Sequence, residues 1–284
     1  MTRKIIKLFV LITIAIFIGN VLYYSKYRPN TALLRIDGII TDAKARQWIK
    51  QIRSIEESAQ LKAALLLINS PGGSANASER LYLAIKELNR KKPVVVLVQD
   101  LAASGAYYAA AGASDIVAYP TSVVGSIGVL IESLNVSRLA SRIGIEPFVI
   151  KSGPLKDAGN PLREPTPADR AMLQRVVNGL YEQFLNDVAT SRHIPIKKLK
   201  PYADGSVFSA REAKKIGLID TVGTEETAER ILKEKAHLVH VRFERFEQEK
   251  GFLQSLLGER VLNLLNYLEL AIKPVPQAIF HVGN

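Results

Sequence analysis

Two continuous apolar runs constrain this chain more than any other feature. Residues 61–68 read LKAALLLI, and residues 93–98 read PVVVLV. A strand with one wet face alternates apolar and polar residues; these runs do not alternate. They fit strands buried on both faces, the habit of parallel sheets covered by helices above and below. Each run ends in a break of small residues, and a helical pattern follows each break. Strands alternating with helices imply βαβ units and a layered α/β fold.

The rest of residues 29–246 extends that pattern. Residues 32–36 (ALLRI) read as a first strand, with Asp37-Gly38 as a turn. Residues 42–58 read as a helix with Trp48, Ile52 and Ile55 on one face. Leu81, Ala84, Ile85 and Leu88 mark the next. Residues 102–113 are rich in Ala and Gly and read as helical from Ser104. Strands are expected over 115–119, 125–131, 147–150 and 238–243. Helices are expected over 136–143, 209–216 and 224–236. Thr166-Pro167-Ala168-Asp169 combines an N-cap, a proline at N1 and an acid at N3. The helix it opens should run to about Ser191 and bury Leu173, Val176, Val177, Leu180, Phe184 and Val188.

The N-terminus reads as an address. Residues 8–22 carry no charge within the apolar stretch 5–24, and about 20 such residues cross a bilayer core. Arg3, Lys4 and Lys7 precede the run, which keeps the N-terminus cytoplasmic. Lys26 and Arg28 follow it and weaken that asymmetry. A retained single-pass anchor over residues 1–28 is the reading carried forward. It puts the remainder outside an inner or plasma membrane, in a periplasm or extracellular space. A cleaved signal peptide is the competing reading, but no A-x-A-like site follows the run. Residues 247–284 form a third region. Residues 251–272 carry a wide leucine stripe interrupted by Glu259, Arg260 and Glu269. That pattern fits a helix packed on its own domain or on a partner subunit, not a bilayer span.

Composition narrows the chemistry. The chain has 38 Lys and Arg against 27 Asp and Glu, a net charge of +11. The basic residues are scattered, so solvated surface charge is the simpler reading and no nucleic acid is expected. There is no cysteine, which removes disulfides, thiol nucleophiles and thiolate metal sites. The four histidines, His193, His237, His240 and His281, lie away from any glycine-rich turn. A Ser-His-Asp triad and a zinc hydrolase site therefore lack support, and no metal or cofactor is implied.

The glycine-rich breaks can carry chemistry. Ser70-Pro71-Gly72-Gly73 closes a buried strand ahead of a helix, where backbone N–H groups can point outward. It lacks the Walker and dinucleotide patterns, so it is either a tight turn or an oxyanion hole. Ser104-Gly105 follows the second buried strand. Ser104 reads either as an N-cap or as an exposed nucleophile beside the Gly105 N–H. A nucleophilic serine needs a base. With histidine scarce, lysine can serve if its pKa falls from about 10.4 to about 7–8. Lys156 is one of several lysines that the residues alone leave open.

Several segments, in order, resemble the signal peptide peptidase A (SppA) family of serine–lysine membrane peptidases, in its single-repeat bacterial form. They are Ile68–Ser74, Ala103–Tyr108, Gly125–Val129, Lys151–Asp157, Pro161–Thr166 and Gly217–Asp220. The resemblance covers roughly residues 32–223. It implies a Clp protease/crotonase-like layered βαβ spiral. It also implies Ser104 as nucleophile, Lys156 as general base and Ser126 as the group orienting Lys156. Backbone N–H groups of Gly73 and Gly105 would form the oxyanion hole. Implied substrates are released signal peptides and some exported proteins. Implied partners are the membrane and further copies of the chain in an octamer-like ring or dome. Ala106 departs from a glycine common after the Ser-Gly pair, and Asp204-Gly205-Ser206 lacks a common arginine. A non-catalytic scaffold of the same fold and a crotonase-like acyl-CoA enzyme are the alternatives.

Overall fold

The computed structural model describes residues 12–19, 28–246 and 277–279. Residues 12–19 are helical, and Ile12, Ile16 and Phe17 stand exposed there. Among the described residues no helix is long and apolar enough to cross a membrane. The rest of the expected anchor, and the expected helix at 251–272, lie outside the described residues.

The two apolar runs form the middle of one sheet. Strand β1 (Thr31–Asp37) pairs in parallel with β2 (Ala63–Ser70), and β2 with β4 (Val94–Ala103). The short strand β3 (Gly72–Ser74) lies between β2 and the helix that starts at Ala75. Strands β5 (Asp115–Ala118) and β6 (Val123–Gly125) follow β4. Strand β7 (Val207–Ser209) pairs antiparallel with β6, β8 (Thr221–Val222) pairs with β5, and β9 (Phe243–Phe246) pairs with β1.

The sheet forks along β4. Val95–Val98 pairs with β5, whereas Leu101–Ala103 pairs with β6. The Ser122 hydroxyl donates to the Val98 carbonyl at 3.1 Å and also to that of Gln99, closing the notch between the branches. One branch continues through β5 to β8; the other continues through β6 to β7.

Period-two geometry sorts the core into two layers. Leu34, Ile36, Leu66, Ile68, Val96 and Val98 face one side. They pack under helices α1 (Asp42–Glu57) and α2 (Ala75–Lys91), with Trp48, Ile52, Tyr82 and Ile85 among the buried partners. Leu33, Leu65, Leu67, Val95 and Leu97 face the other side, where Ala228 and Leu232 of helix α8 (Glu225–Lys235) cover them. Fully burying each such side chain contributes about 1.5–3 kcal/mol. A strand with apolar residues on both faces is stable only between two such layers, as the unbroken runs required.

Helix α5 (Pro167–Ser191) begins at the expected capping box: Thr166 accepts from the Asp169 N–H, and the Asp169 carboxylate accepts from the Thr166 N–H. Its expected stripe is buried only toward the end, at Phe184, Leu185, Val188 and Ala189, while Val176 is exposed. The expected strand at 125–131 is instead β6, ending at Gly125. Residues 147–150 form no strand, and Phe148 and Ile150 are 90% and 86% exposed. The last strand of the 28–246 region begins at Phe243 rather than ending there.

Candidate active site

The strands β2, β4 and β6 point their carboxyl ends the same way, and chemistry in α/β sheets gathers at that end. Strand β4 ends at Ala103, and helix α3 (Gly105–Ala110) starts two residues later. Ser104 alone makes the reversal, with φ 53° and ψ −120°. A side-chain-bearing residue there stores about 1–3 kcal/mol of backbone strain. Its N–H donates to the Gly125 carbonyl at 2.8 Å, and its carbonyl accepts from the Tyr108 N–H at 2.9 Å. Its hydroxyl makes no cap hydrogen bond. The structure corrects both readings of Ser104: the hydroxyl makes no cap bond and has no other hydrogen-bond partner among the described residues, and the residue is buried, at 1% exposure, at the tip of a sharp strand-to-helix turn rather than exposed.

What holds that turn is buried behind it. Every residue of α3 is buried. The Tyr107 hydroxyl donates to the Leu218 carbonyl at 2.8 Å. The Tyr108 hydroxyl donates to Asp187 of α5, and its ring stacks on Phe184 with centroids 4.4 Å apart. Burial raises both phenols above their ordinary value, and the Asp187 bond raises Tyr108 further. The first N–H groups of α3, starting with Gly105, have no partner within the helix.

Gly73 sits beside this turn on β3, which packs against α3. It makes a parallel bridge to Ile40. The Ile40 N–H donates to the Gly72 carbonyl at 2.8 Å, and the Ser74 N–H to the Ile40 carbonyl at 2.9 Å. A Cβ on Gly73 would stand 2.2 Å from the Ile40 oxygen, so only glycine fits. Strand amides alternate in direction. Because Ser74 points its N–H at Ile40, Gly73 points its own at the opposite edge. Strand β10 (Gln277–Ile279) lies on that edge, antiparallel, with Ala278 opposite Gly73.

Ser126 completes the cluster. It follows Gly125, the register partner of Ala103. It is 6% exposed with φ 52°, and its N–H donates to the Ser206 carbonyl at 2.7 Å. Gly73, Ser104, Gly105 and Ser126 thus lie at one end of the sheet.

Lys156 does not join them. It is exposed, in a run of turns over residues 151–163, and its ammonium makes no hydrogen bond or ion pair among the described residues. Its neighbour Asp157 is tied down. Lys151 donates to the Asp157 carboxylate at 2.6 Å and to the Pro154 carbonyl at 3.1 Å. Arg163 grips both Asp157 oxygens at 2.9 Å. Its other edge binds Asp169, at 2.5 and 3.1 Å. The Arg163 bonds hold both carboxyls well below the usual carboxylate range, Lys151 assisting at Asp157 and Thr166 at Asp169. Arg163 and Asp157 lie within segments that carry the family resemblance, but neither has a role implied by it. Two acids six residues on either side of an arginine were the available signal.

Among the described residues no group of three or more His, Cys, Asp or Glu could hold a metal ion. A groove of about 910 Å³ between α1 and α2, lined by Arg46, Arg53, Arg80 and Leu83, includes none of Gly73, Ser104, Gly105, Ser126 and Lys156.

Comparison with known proteins agrees with the fold and with a serine peptidase. The model of peptidase family S49 matches residues 86–239, and that of Clp protease matches residues 25–124. A protein of Methanocaldococcus jannaschii, named as a candidate protease, is 41% identical over 219 residues, which cover 76% of this chain and 70% of that one. A candidate signal peptide peptidase SppA of Enterococcus faecium is 30% identical over 241 residues, covering 80% and 70%. A mutant of the membrane-bound stomatin-specific protease 1510-N, solved with a substrate peptide, superposes with a TM-score of 0.55. At 16% identity, over 84% of this chain and 98% of that one, it speaks for the fold alone. With a family model matched over more than half its length, the chain belongs to peptidase family S49 and is a serine peptidase.

Proposed function

We propose that this peptidase is anchored in the membrane by residues 1–28 and cleaves extended peptides with a Ser104–Lys156 dyad. Released signal peptides are the substrate class. The observation that carries the reading is the Ser104 turn, a strained junction that leaves an uncommitted hydroxyl beside the first N–H groups of α3.

Ser104 Oγ attacks the peptide carbonyl while the neutral Lys156 amine takes its proton. Gly73 and Gly105 N–H groups stabilise the oxyanion. The tetrahedral intermediate expels the amine half of the peptide, which takes the proton from Lys156. Lys156 then takes a proton from water as the water oxygen attacks the acyl-enzyme, and returns that proton to the Ser104 oxygen as the ester bond breaks and the product acid leaves. Ser126 orients the lysine. The β3 edge supports an extended substrate, because its Gly73 N–H already faces an antiparallel strand supplied by the chain itself.

The exposed Lys156 bears on assembly. A lysine serves as base only where desolvation favours its neutral form. Leu134, Leu139, Ile143, Phe148 and Ile150, just upstream, are also exposed. A second copy covering this apolar segment would bury it and complete the dyad, in a ring or dome of identical subunits.

Peptide cleavage by the full chain in detergent, compared with Ser104→Ala and Lys156→Ala, tests the reading. Wild type should cleave the peptide, and both variants should be inactive. Activity retained by either variant removes that residue from the mechanism.

A further inference from the structure

Helix α5 connects two places that the reaction must keep in register. Near its C-terminal end, Asp187 accepts from Tyr108, and Phe184 stacks on the same ring, in the helix behind Ser104. At its N-terminal end, Asp169 is fully buried and accepts from Thr166 and Arg163. The 25 residues of α5 make a rod about 37 Å long. The Ser104 turn and the Lys156 turn are therefore fixed to opposite ends of one rigid element, too far apart within one chain for proton transfer, so the proposed dyad pairs Ser104 of one copy with Lys156 of another.

Among the described residues, the hydrogen bonds from the Lys156 turn to the helix at that end run through Arg163. Arg163 uses its whole guanidinium. Nε and one terminal nitrogen take the two Asp157 oxygens, and that nitrogen also takes the Asp157 carbonyl at 3.2 Å. Both terminal nitrogens reach Asp169, and one also reaches the Glu164 carbonyl at 3.2 Å. The Arg163 side chain is 21% exposed, Asp157 12% and Asp169 1%. Such a planar fork bridging two carboxylates fixes orientation as well as distance, which an ammonium cannot do. Asp157 adjoins Lys156 in the chain, so its anchored carboxylate and carbonyl set where the Lys156 backbone stands.

We propose that Arg163 is a positioning residue for catalysis: it clamps the turn carrying Lys156 onto the buried N-terminus of α5. This rests on Lys156 being the base. The clamp acts without touching substrate. It supplies the fixed geometry that general-base transfer needs, where a displacement of about 1 Å can cost about 10²-fold in rate.

The test uses the full chain in detergent, with kcat and KM measured separately for Arg163→Ala, Arg163→Lys, Asp157→Asn and Lys156→Ala. Arg163→Ala should lower kcat about 10²-fold with KM changed less than about threefold. Arg163→Lys, which keeps the charge and reaches one carboxylate, should recover part of that loss. Asp157→Asn cuts the clamp at the turn but leaves the Arg163–Asp169 pair intact, so it reports even if Arg163→Ala does not fold. It should show the same loss confined to kcat. Normal kcat in Asp157→Asn, or in a folded Arg163→Ala, beside an inactive Lys156→Ala overturns the clamp and spares the base. An active Lys156→Ala overturns the base assignment, and the clamp's catalytic role falls with it.

Discussion

Ser104 and Ser126 leave neighbouring parallel strands one residue past a matched pair, Ala103 and Gly125, and both do so at positive φ, 53° and 52°. The Ser104 N–H bonds the carbonyl of Gly125, the residue just before Ser126. Two strained serines held by one register are placed by the sheet, not by flexible loops. Replacing Ser104 by Gly should relieve its backbone while removing the hydroxyl. Ser104→Gly is expected to abolish cleavage and to raise stability by up to about 1 kcal/mol. Denaturant unfolding beside a peptide assay checks this; a less stable Ser104→Gly would mean that the turn is not strained.

Gly73 has no room for a side chain. Gly73→Ala drives a Cβ to 2.2 Å from the Ile40 carbonyl oxygen, so β3 must shift away. Activity should fall at least 10²-fold, the scale of losing one oxyanion donor. Stability should fall by about 1–3 kcal/mol, the scale of overpacking. Gly72, one residue away, makes no parallel bridge to Ile40. If Gly73→Ala retains normal kcat, its N–H is not an oxyanion donor.

The Arg163 cluster sets an acid limit. Asp157 and Asp169 titrate well below the usual carboxylate range when folded, against about 3.9 in the unfolded chain. The folded state therefore binds fewer protons, and the resulting stability is fully present above the unfolded value. It is lost as pH falls through the depressed folded values. Asp169→Asn lacks that contribution at every pH. The Tm gap between wild type and Asp169→Asn should be widest above about pH 5 and close toward about pH 2. A gap that stays constant over that range would remove the ionic origin.

Strand β10 competes for the edge that a substrate would use. Deleting residues 277–284 should lower KM for an extended peptide severalfold and leave kcat nearly unchanged. Steady-state kinetics on the two chains decides it. An unchanged KM would mean that the β10 pairing does not obstruct the site.

Much of the fold was legible because burial on two faces leaves a mark in the residues themselves. The runs at 61–68 and 93–98 could become nothing but central strands, and Thr166 with Asp169 could hardly avoid capping a helix. The misreadings share one cause. Phe148, Ile150 and Val176 look like core residues, yet they are exposed in the single chain. An apolar side chain records that something covers it, not what. The site was legible in its residue types but not in its geometry. Ser104 followed by glycine is equally a cap or a nucleophile until φ is known. Only the resemblance pairs Lys156 with Ser104, whereas the chain fastens the Lys156 turn to the far end of α5.

The Gly73 edge has a consequence for selectivity. A guest accepted there is held through its main chain, which every polypeptide shares. What differs among polypeptides is whether that main chain is available. A folded protein has already spent its N–H and C=O groups on itself, and a helix spends them internally. Under the proposed function, such an edge would discriminate by unfoldedness rather than by amino-acid identity, and the enzyme would spare finished proteins and take loose segments.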